Sequence, residues 1–175
     1  MKTSPDGSGL YRQQPTKTEI TEQEALSRLA ALCSRGEHSS GEMIEKMRRW
    51  QLDEMAQARI LERLVHDKYV DDERFARAFI HDKLRYNHWG RRKIEQALWQ
   101  KGVDRDVYAP LLDAVSDEDY LAELRPLLRQ KSRSVKADSD YERNMKLIKF
   151  ALGRGFTMDI IRQCIDGAED IADEG

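Results

Sequence analysis

The side chains able to do covalent or metal chemistry are few and scattered. The histidines are His38, His66, His81 and His88, and the cysteines are Cys33 and Cys164. No subset has the spacing of a zinc site. There is no glycine-rich phosphate loop and no serine in a nucleophile-elbow context. Carboxylates are abundant but gather at helix starts, where capping the orphan N–H groups accounts for them. Catalysis is therefore unsupported, and no metal site is expected. Cationic chemistry is another matter. Arg85, Arg91, Arg92 and Lys93 surround the run Tyr86-Asn87-His88-Trp89-Gly90, with Lys101 and Arg105 further on. No acidic residue lies between Arg85 and Arg92, so these charges read as weakly countered. Trp89 sits among them, placed either to stack on a partner or to cap the helix junction. Arg48, Arg49 and Trp50 make a smaller version upstream. Arg125, Arg129, Lys131, Arg133 and Lys136 make a third basic run. Local patches of this kind hold phosphates or carboxylates, although each could also be a solvated helix face.

The elements that must position these residues are helices. Thr21 with Glu24 and Ser39 with Glu42 are capping-box patterns, and Asp53 can cap a third helix. Leu26, Leu29, Ala30 and Cys33, then Ile44 and Met47, then Ile60, Leu61, Leu64 and Val65 form the apolar faces of these three. Asp71 or Asp72 opens a fourth helix carrying Phe75, Ala76, Phe79, Ile80 and Leu84. The pattern breaks at Tyr86–Gly90 and resumes near Arg91 with Ile94, Ala97 and Leu98. Gly102 stops that helix, and Val103 is placed to close a Schellman-type cap. Asp104 caps the next helix, with Val107, Leu111, Leu112 and Val115 inward. From Asp117 or Asp119 another carries Leu121, Leu124 and Leu128, with Pro126 either kinking it or marking its true start. Residues 132–139 read as a polar loop. Helices at 141–152, with Leu147, Ile148 and Ala151 inward, and at 158–165 complete the chain.

These elements repeat. Ile94 matches Leu147, Gly102 matches Gly155, Val103 matches Phe156, Asp106 matches Asp159 and Leu112 matches Ile165, all at an offset of 53 residues. The first unit aligns once a one-residue gap is allowed, with Ile44 at the place of Ile94 and Asp53 at that of Asp104. A fixed period of this kind signals stacked supersecondary units. The expected fold is all-α: tandem three-helix repeats forming an elongated, curved array. The predicted organisation is a disordered tail over residues 1–20, repeats over 21–70, 71–116 and 117–167, and an acidic tail over 168–175.

The bulk numbers agree with that class. Charged residues are 35% and the hydrophobic set 39% of 175 residues, polar for a closed globule but ordinary for a helical array. Net charge is -2, so any anion-binding role belongs to local patches and not to the whole surface. No apolar run approaches the roughly 20 residues that span a membrane, and the first twenty residues do not read as a signal peptide. The two distant cysteines, each on an apolar stripe, read as free thiols in a reducing cytoplasm.

The central block carries a resemblance. An acidic, Phe-Ala-containing helix start, then Trp89-Gly90-Arg91-Arg92-x-Ile94, then Leu98-x-x-Lys101-Gly102-Val103, resembles the signature of the RecX family of bacterial regulators of the RecA recombinase. ALSRLAALCSRGEHSSGEM is similar to that family's first-helix pattern, with Gly36 as a departure. The resemblance spans roughly residues 24–166, the third unit matching in outline. It implies three tandem three-helix repeats, no enzymatic activity and no cofactor. It also implies binding within the helical groove of RecA–DNA filaments, usually lowering strand exchange and coprotease activity. The positions Trp89 to Lys93 carry over as contacts.

The leading functional expectation is a cytoplasmic, monomeric RecA modulator contacting RecA, the RecA–DNA filament and DNA directly through Arg48, Arg49, Arg85, Trp89, Arg91, Arg92, Lys93 and Lys101. The other classes are a helical-repeat DNA-binding protein acting without RecA, and a scaffold for another protein's helices. Steep salt dependence would mark direct phosphate binding. Because the elbow reads as free of acids, reversing Arg91 and Arg92 together is expected to leave the melting temperature nearly unchanged.

Overall fold

The structure, a computed structural model, describes residues 20–165. The expected disordered tail, up to residue 19, and the acidic tail at 168–175 lie outside the described residues. Among the described residues the chain is helical without strands, and no helix is long and apolar enough to cross a membrane. The helices are α1 (Glu22–Arg35), α2 (Ser40–Arg49), α3 (Glu54–His66), α4 (Asp72–Arg85), α5 (Arg91–Gln100), α6 (Arg105–Asp113), α7 (Asp117–Ser134), α8 (Asp140–Gly153) and α9 (Met158–Arg162).

Their starts follow from side-chain capping. Thr21 and Ser39 complete reciprocal capping boxes with Glu24 and Glu42. Asp53, Asp71, Asp104, Ser116 and Ser139 each accept a first-turn backbone N–H, which satisfies a donor that the helix leaves orphaned. Ile20, assigned to the tail by sequence, packs against the first core at the position of a hydrophobic staple. Helix α5 ends as expected: Gly102 has φ 72°, Gly102 N donates to Trp99 O (3.0 Å) and Val103 N to Leu98 O (3.1 Å).

Several expectations need correction. Met43, and not Ile44, is the buried counterpart of Ile94. With Met43 in that place, Met43, Met47 and Asp53 align with Ile94, Leu98 and Asp104 at a constant offset of 51 residues, and the gap disappears. The left-handed stop falls on Gln51 (φ 58°), with Leu52 N donating to Met47 O (3.1 Å) as Val103 does to Leu98. Val65 is exposed on the outer face of α3. Helix α7 starts on the Ser116 cap and runs through Pro126 to Ser134, so Pro126 is internal and the polar loop begins at 135. Helix α9 closes at Arg162, although turn bonds carry on to Ile165 N, which donates to Ile161 O (3.1 Å).

The three helix triplets do not build three cores. Ala25, Leu29, Met43, Met47, Ile60, Leu64 and Val70 form one cluster inside the first triplet. A second, continuous cluster runs from Phe75 in α4 to Ile165 beyond α9, so the second and third triplets share one interior. Tyr120, Leu121 and Leu124 of α7 belong to it, and α7 packs on α4.

Both joints between successive triplets use one device. The start of a middle helix sits on the C-terminal stop of the next middle helix. At the first joint, Ser39 Oγ donates to Lys101 O, and a Cβ built on Gly41 would come within 2.6 Å of Gly102 Cα. At the second, Gly90 N donates to Arg154 O (2.8 Å) and Arg92 N to Gly155 O (3.0 Å), while a Cβ on Gly90 would lie 2.3 Å from Phe156 N. Side-chain bonds reinforce the first joint: Asp72 accepts from Ser40 N (2.7 Å), and Arg74 pairs with Glu37 (2.6 Å).

Candidate functional site

The first joint leaves a groove between α2 and the α4–α5 elbow, with a volume of about 910 Å³. Its α2 wall carries Lys46, Arg48 and Arg49, and its far wall carries Phe79, Lys83, Trp89 and Lys101. Arg48 and Arg49 reach it because they stand in the last turn of α2, opposite the buried pair Met43 and Met47. Lys101 reaches it because its backbone is the α5 stop on which Ser39 docks. Five cations line the groove against two carboxylates, Glu42 and Glu45. Both carboxylates are already engaged, Glu42 with His38 (3.1 Å) and Glu45 with Arg49 (2.6 Å). Arg48 and Lys101 make no ion pair among the described residues. The groove is therefore a positive slot with an aromatic floor, suited to an anionic or amphipathic partner surface.

Trp89 forms that floor. It is half-buried against the second core. Its N–H donates to Lys83 O (3.0 Å), and His88 before it has φ 54°, which turns the chain sharply into α5. The ammonium groups of Lys83 and Lys93 lie 5.0 and 4.7 Å from the Trp89 ring centroid, close enough for cation–π attraction. Trp89 thus caps the junction, one of the two roles that the sequence left open, and its ring also lines the groove.

The rest of the elbow is not free. Arg85 bridges to Asp119 (3.1 Å) and Glu123 (3.0 Å) on α7. Glu123 also takes His88 Nδ1 at 2.7 Å. Arg91 pairs with Asp113 at the end of α6 (2.5 Å). The hydrogen bonds to Glu123 and to Asp113 hold the Arg85 and Arg91 guanidinium groups above their usual pKa. The expectation of uncountered charge fails because the carboxylates come from α6 and α7, outside the sequence window. Arg92 is exposed, with its backbone on Gly155, and its side chain does not line the groove.

Of the eight residues expected to bind a partner, the fold thus gathers Arg48, Arg49, Trp89 and Lys101 in one groove, with Lys93 on the ring of Trp89. Arg85 and Arg91 are spent on inter-helix pairs, and Arg92 is exposed outside the groove lining. Sequence reasoning missed Lys46, Phe79 and Lys83. The signal for Lys83 was present: it stands one helical turn after Phe79 and just ahead of the break at Trp89. Among the described residues no group of His, Cys, Asp and Glu could hold a metal ion. Cys33 and Cys164 are free and half-buried, and burial raises both thiol pKa values.

Comparison with known proteins agrees with this architecture. Residues 71–109 match the family description RecX, second three-helix domain, and residues 117–165 match RecX, third three-helix domain. The chain is 31% identical over 157 residues to the regulatory protein RecX of Acinetobacter baylyi, covering 90% of this chain and 96% of that protein. It is 34% identical over 130 residues to the regulatory protein RecX of Chlorobium phaeobacteroides, covering 74% and 83%. The crystal structure of RecX from Lactobacillus salivarius superposes with a TM-score of 0.77 over 85% of this chain and 96% of that one, at 19% identity.

Proposed function

The chain belongs to the RecX family, and on that premise we propose that it is a non-enzymatic, cytoplasmic regulatory protein that binds RecA and RecA–DNA filaments. It acts as a monomer and lowers the recombinase, ATPase and coprotease activities that serve DNA repair and the SOS response. The observation that supports this reading best is the groove at the first joint, where Arg48, Arg49, Trp89 and Lys101 converge from two triplets. A filament presents a long and regular surface, and several modest contacts to such a surface add along a repeat array. A groove that spans two triplets reads a stretch of partner that neither triplet could reach alone.

Arg48→Glu combined with Lys101→Glu tests the reading. Both side chains lack an ion pair among the described residues, so reversal removes little internal stability. Co-sedimentation with RecA filaments, with and without nucleotide, should fall at least tenfold in affinity, and inhibition of RecA's ATP hydrolysis should weaken in parallel. Equal co-sedimentation of variant and parent would rule the groove out as the contact. Tight, steeply salt-dependent binding to bare DNA without RecA would favour the DNA-binding alternative instead.

A further inference from the structure

The floor of the groove is held by a residue that does not line it. Trp89 belongs to the elbow Tyr86–Gly90, and its ring lines the groove at the first joint. Beyond the local bonds to α4, the elbow is tied to the third triplet. Glu123 of α7, whose side chain is 13% exposed, accepts from Arg85 Nη1 on Oε1 (3.0 Å) and from His88 Nδ1 on Oε2 (2.7 Å). Asp119, one turn earlier on α7, accepts from Arg85 Nη2 (3.1 Å). At the end of α8, Arg154 Nη1 donates to Asn87 O (3.1 Å), and Arg154 O accepts from Gly90 N (2.8 Å). One enclosed carboxylate thus ties both the end of α4 and the residue ahead of Trp89 to the third triplet.

His88 is the residue that needs holding. Its φ of 54° is left-handed, a conformation that a residue with a side chain keeps where the surroundings over-determine it. The left-handed stops at Gln51, Lys68, Gly102 and Gly155 are each closed locally. The residue after each donates five positions back: Leu52 N to Met47 O, Tyr69 N to Leu64 O, Val103 N to Leu98 O and Phe156 N to Ala151 O. After His88 the bond reaches six back, from Trp89 N to Lys83 O (3.0 Å). The elbow therefore lacks the closure that fixes the four stops, and the bond from His88 to Glu123 supplies a constraint from outside. Rotation about φ of His88 would re-aim the residue that follows, which is Trp89.

We propose that Glu123 is a positioning residue for the partner groove: through His88 it fixes the left-handed turn that lays the Trp89 ring in the groove, against Lys83 and Lys93. The third triplet then shapes a site whose walls belong to the first two. The identity of the partner rests on the RecA reading, whereas the positioning of Trp89 does not.

The test follows the tryptophan indole N–H resonances of the full chain by NMR, with Trp50 and Trp99 as internal references. Co-sedimentation with RecA filaments is measured beside it, at a temperature where melts show each variant folded. Glu123→Ala should shift the Trp89 resonance, leave those of Trp50 and Trp99 in place, and weaken co-sedimentation at least fivefold. His88→Gly should do the same. It keeps Glu123 paired with Arg85 and takes a left-handed φ freely, so it carries the test if Glu123→Ala does not fold. The double variant should go no further than either single, because both break one link. Arg85→Gln removes the ion pairs to α7 but keeps His88 on Glu123. It should melt earlier, with the Trp89 resonance in place and co-sedimentation within twofold of the parent. A merely structural Glu123 would make Glu123→Ala behave like Arg85→Gln, and that result would overturn the proposal. So would an unmoved Trp89 resonance in His88→Gly, or additive effects in the double variant. Co-sedimentation that weakens in Arg48→Glu with Lys101→Glu but holds in Glu123→Ala would overturn it too. A shifted Trp89 resonance with co-sedimentation unchanged in both would uphold the positioning and remove the filament as the partner of the groove.

Discussion

Arg91 and Arg92 are neighbours in sequence with different roles in the fold. Arg91 is half-buried and pairs with Asp113 across 22 positions, while Arg92 is exposed. Arg91→Glu would bring two carboxylates together at the α5–α6 contact. It should cost about 1 kcal/mol or more, a melting drop of roughly 3 °C for a chain of this size. Arg92→Glu should stay within about 0.5 kcal/mol, and thermal melts of the two single variants separate them. This replaces the expectation that both could be reversed without effect. Tyr120 gives a second prediction. Burial pushes its pKa up to about 12, and its hydroxyl is buried with no partner. Tyr120→Phe removes a polar group that water no longer serves, so it should stabilise the protein by about 1 kcal/mol in urea unfolding. The folded pKa lies above the unfolded value of 10.0. Tyr120's contribution is therefore intact below pH 10 and lost as pH rises through about 12. The Phe variant should lack that alkaline loss, and unfolding at pH 8 and pH 11 checks it. The pairing of Arg85 and Arg91 was not legible in the sequence, because their partners lie 22 to 38 positions away. A count of charges along the chain sees only neighbours.

At the scale of helices the sequence was far more informative, since caps and apolar spacing act within a few residues of one another. Ser39, Asp53, Asp104 and the Gly102 stop could all be read locally because their hydrogen bonds are local. What local reading could not show is that the stops are also the joints. Gly102 (φ 72°) and Gly155 (φ 91°) hold left-handed backbone and lie against another helix start. A Cβ on Gly102 would come 2.7 Å from Gly41 Cα, and at Gly155 it would meet Lys93 Cβ at 2.4 Å. Gly102→Val therefore combines strain of about 1–2 kcal/mol for the backbone with overpacking of about 1–3 kcal/mol against immovable main chain. A loss of at least about 2 kcal/mol in urea unfolding is expected. Gly153, at the end of α8, meets nothing within 4 Å. Gly153→Ala should leave stability unchanged or raise it by up to about 1 kcal/mol, which shows that the penalty at Gly102 comes from the joint and not from losing a glycine. The misplacement of Ile44 has a similar cause. A half-buried Ile beside a fully buried Met reads as the core residue on hydrophobicity alone, and only the three-dimensional register reverses the choice.

At the scale of the molecule, the repeat suggests three equal units, but burial divides the chain into two bodies. The first triplet encloses seven buried apolar residues in a separate cluster, while the second and third share twenty. A unit of about fifty residues is marginal on its own, because it buries a smaller fraction of its surface than a larger domain does. The link to the second body is narrow and mostly polar: Ser39 on Lys101, Ser40 on Asp72, Arg74 on Glu37, and a glycine-to-glycine contact. The first triplet should therefore open before the rest. Native-state hydrogen exchange should show the amides of Leu29, Met47 and Leu64 leaving through a sub-global opening. Its free energy should lie at least about 1 kcal/mol below that for Ile94, Leu121 and Ile161. A single common opening free energy for all six would mean that the joint is as strong as the cores. The division bears on function because the groove of Arg48, Arg49, Trp89 and Lys101 lies across that joint. Its two walls belong to different bodies, so a small rotation about the glycine contact changes its width without disturbing either core. Gly102→Val supplies the link between stability and binding. If the groove depends on the joint, the variant should lower the opening free energy of the first triplet through the lost glycine contact and weaken filament co-sedimentation in parallel. Exchange from the second body should also speed, because the left-handed strain at Gly102 lies inside it.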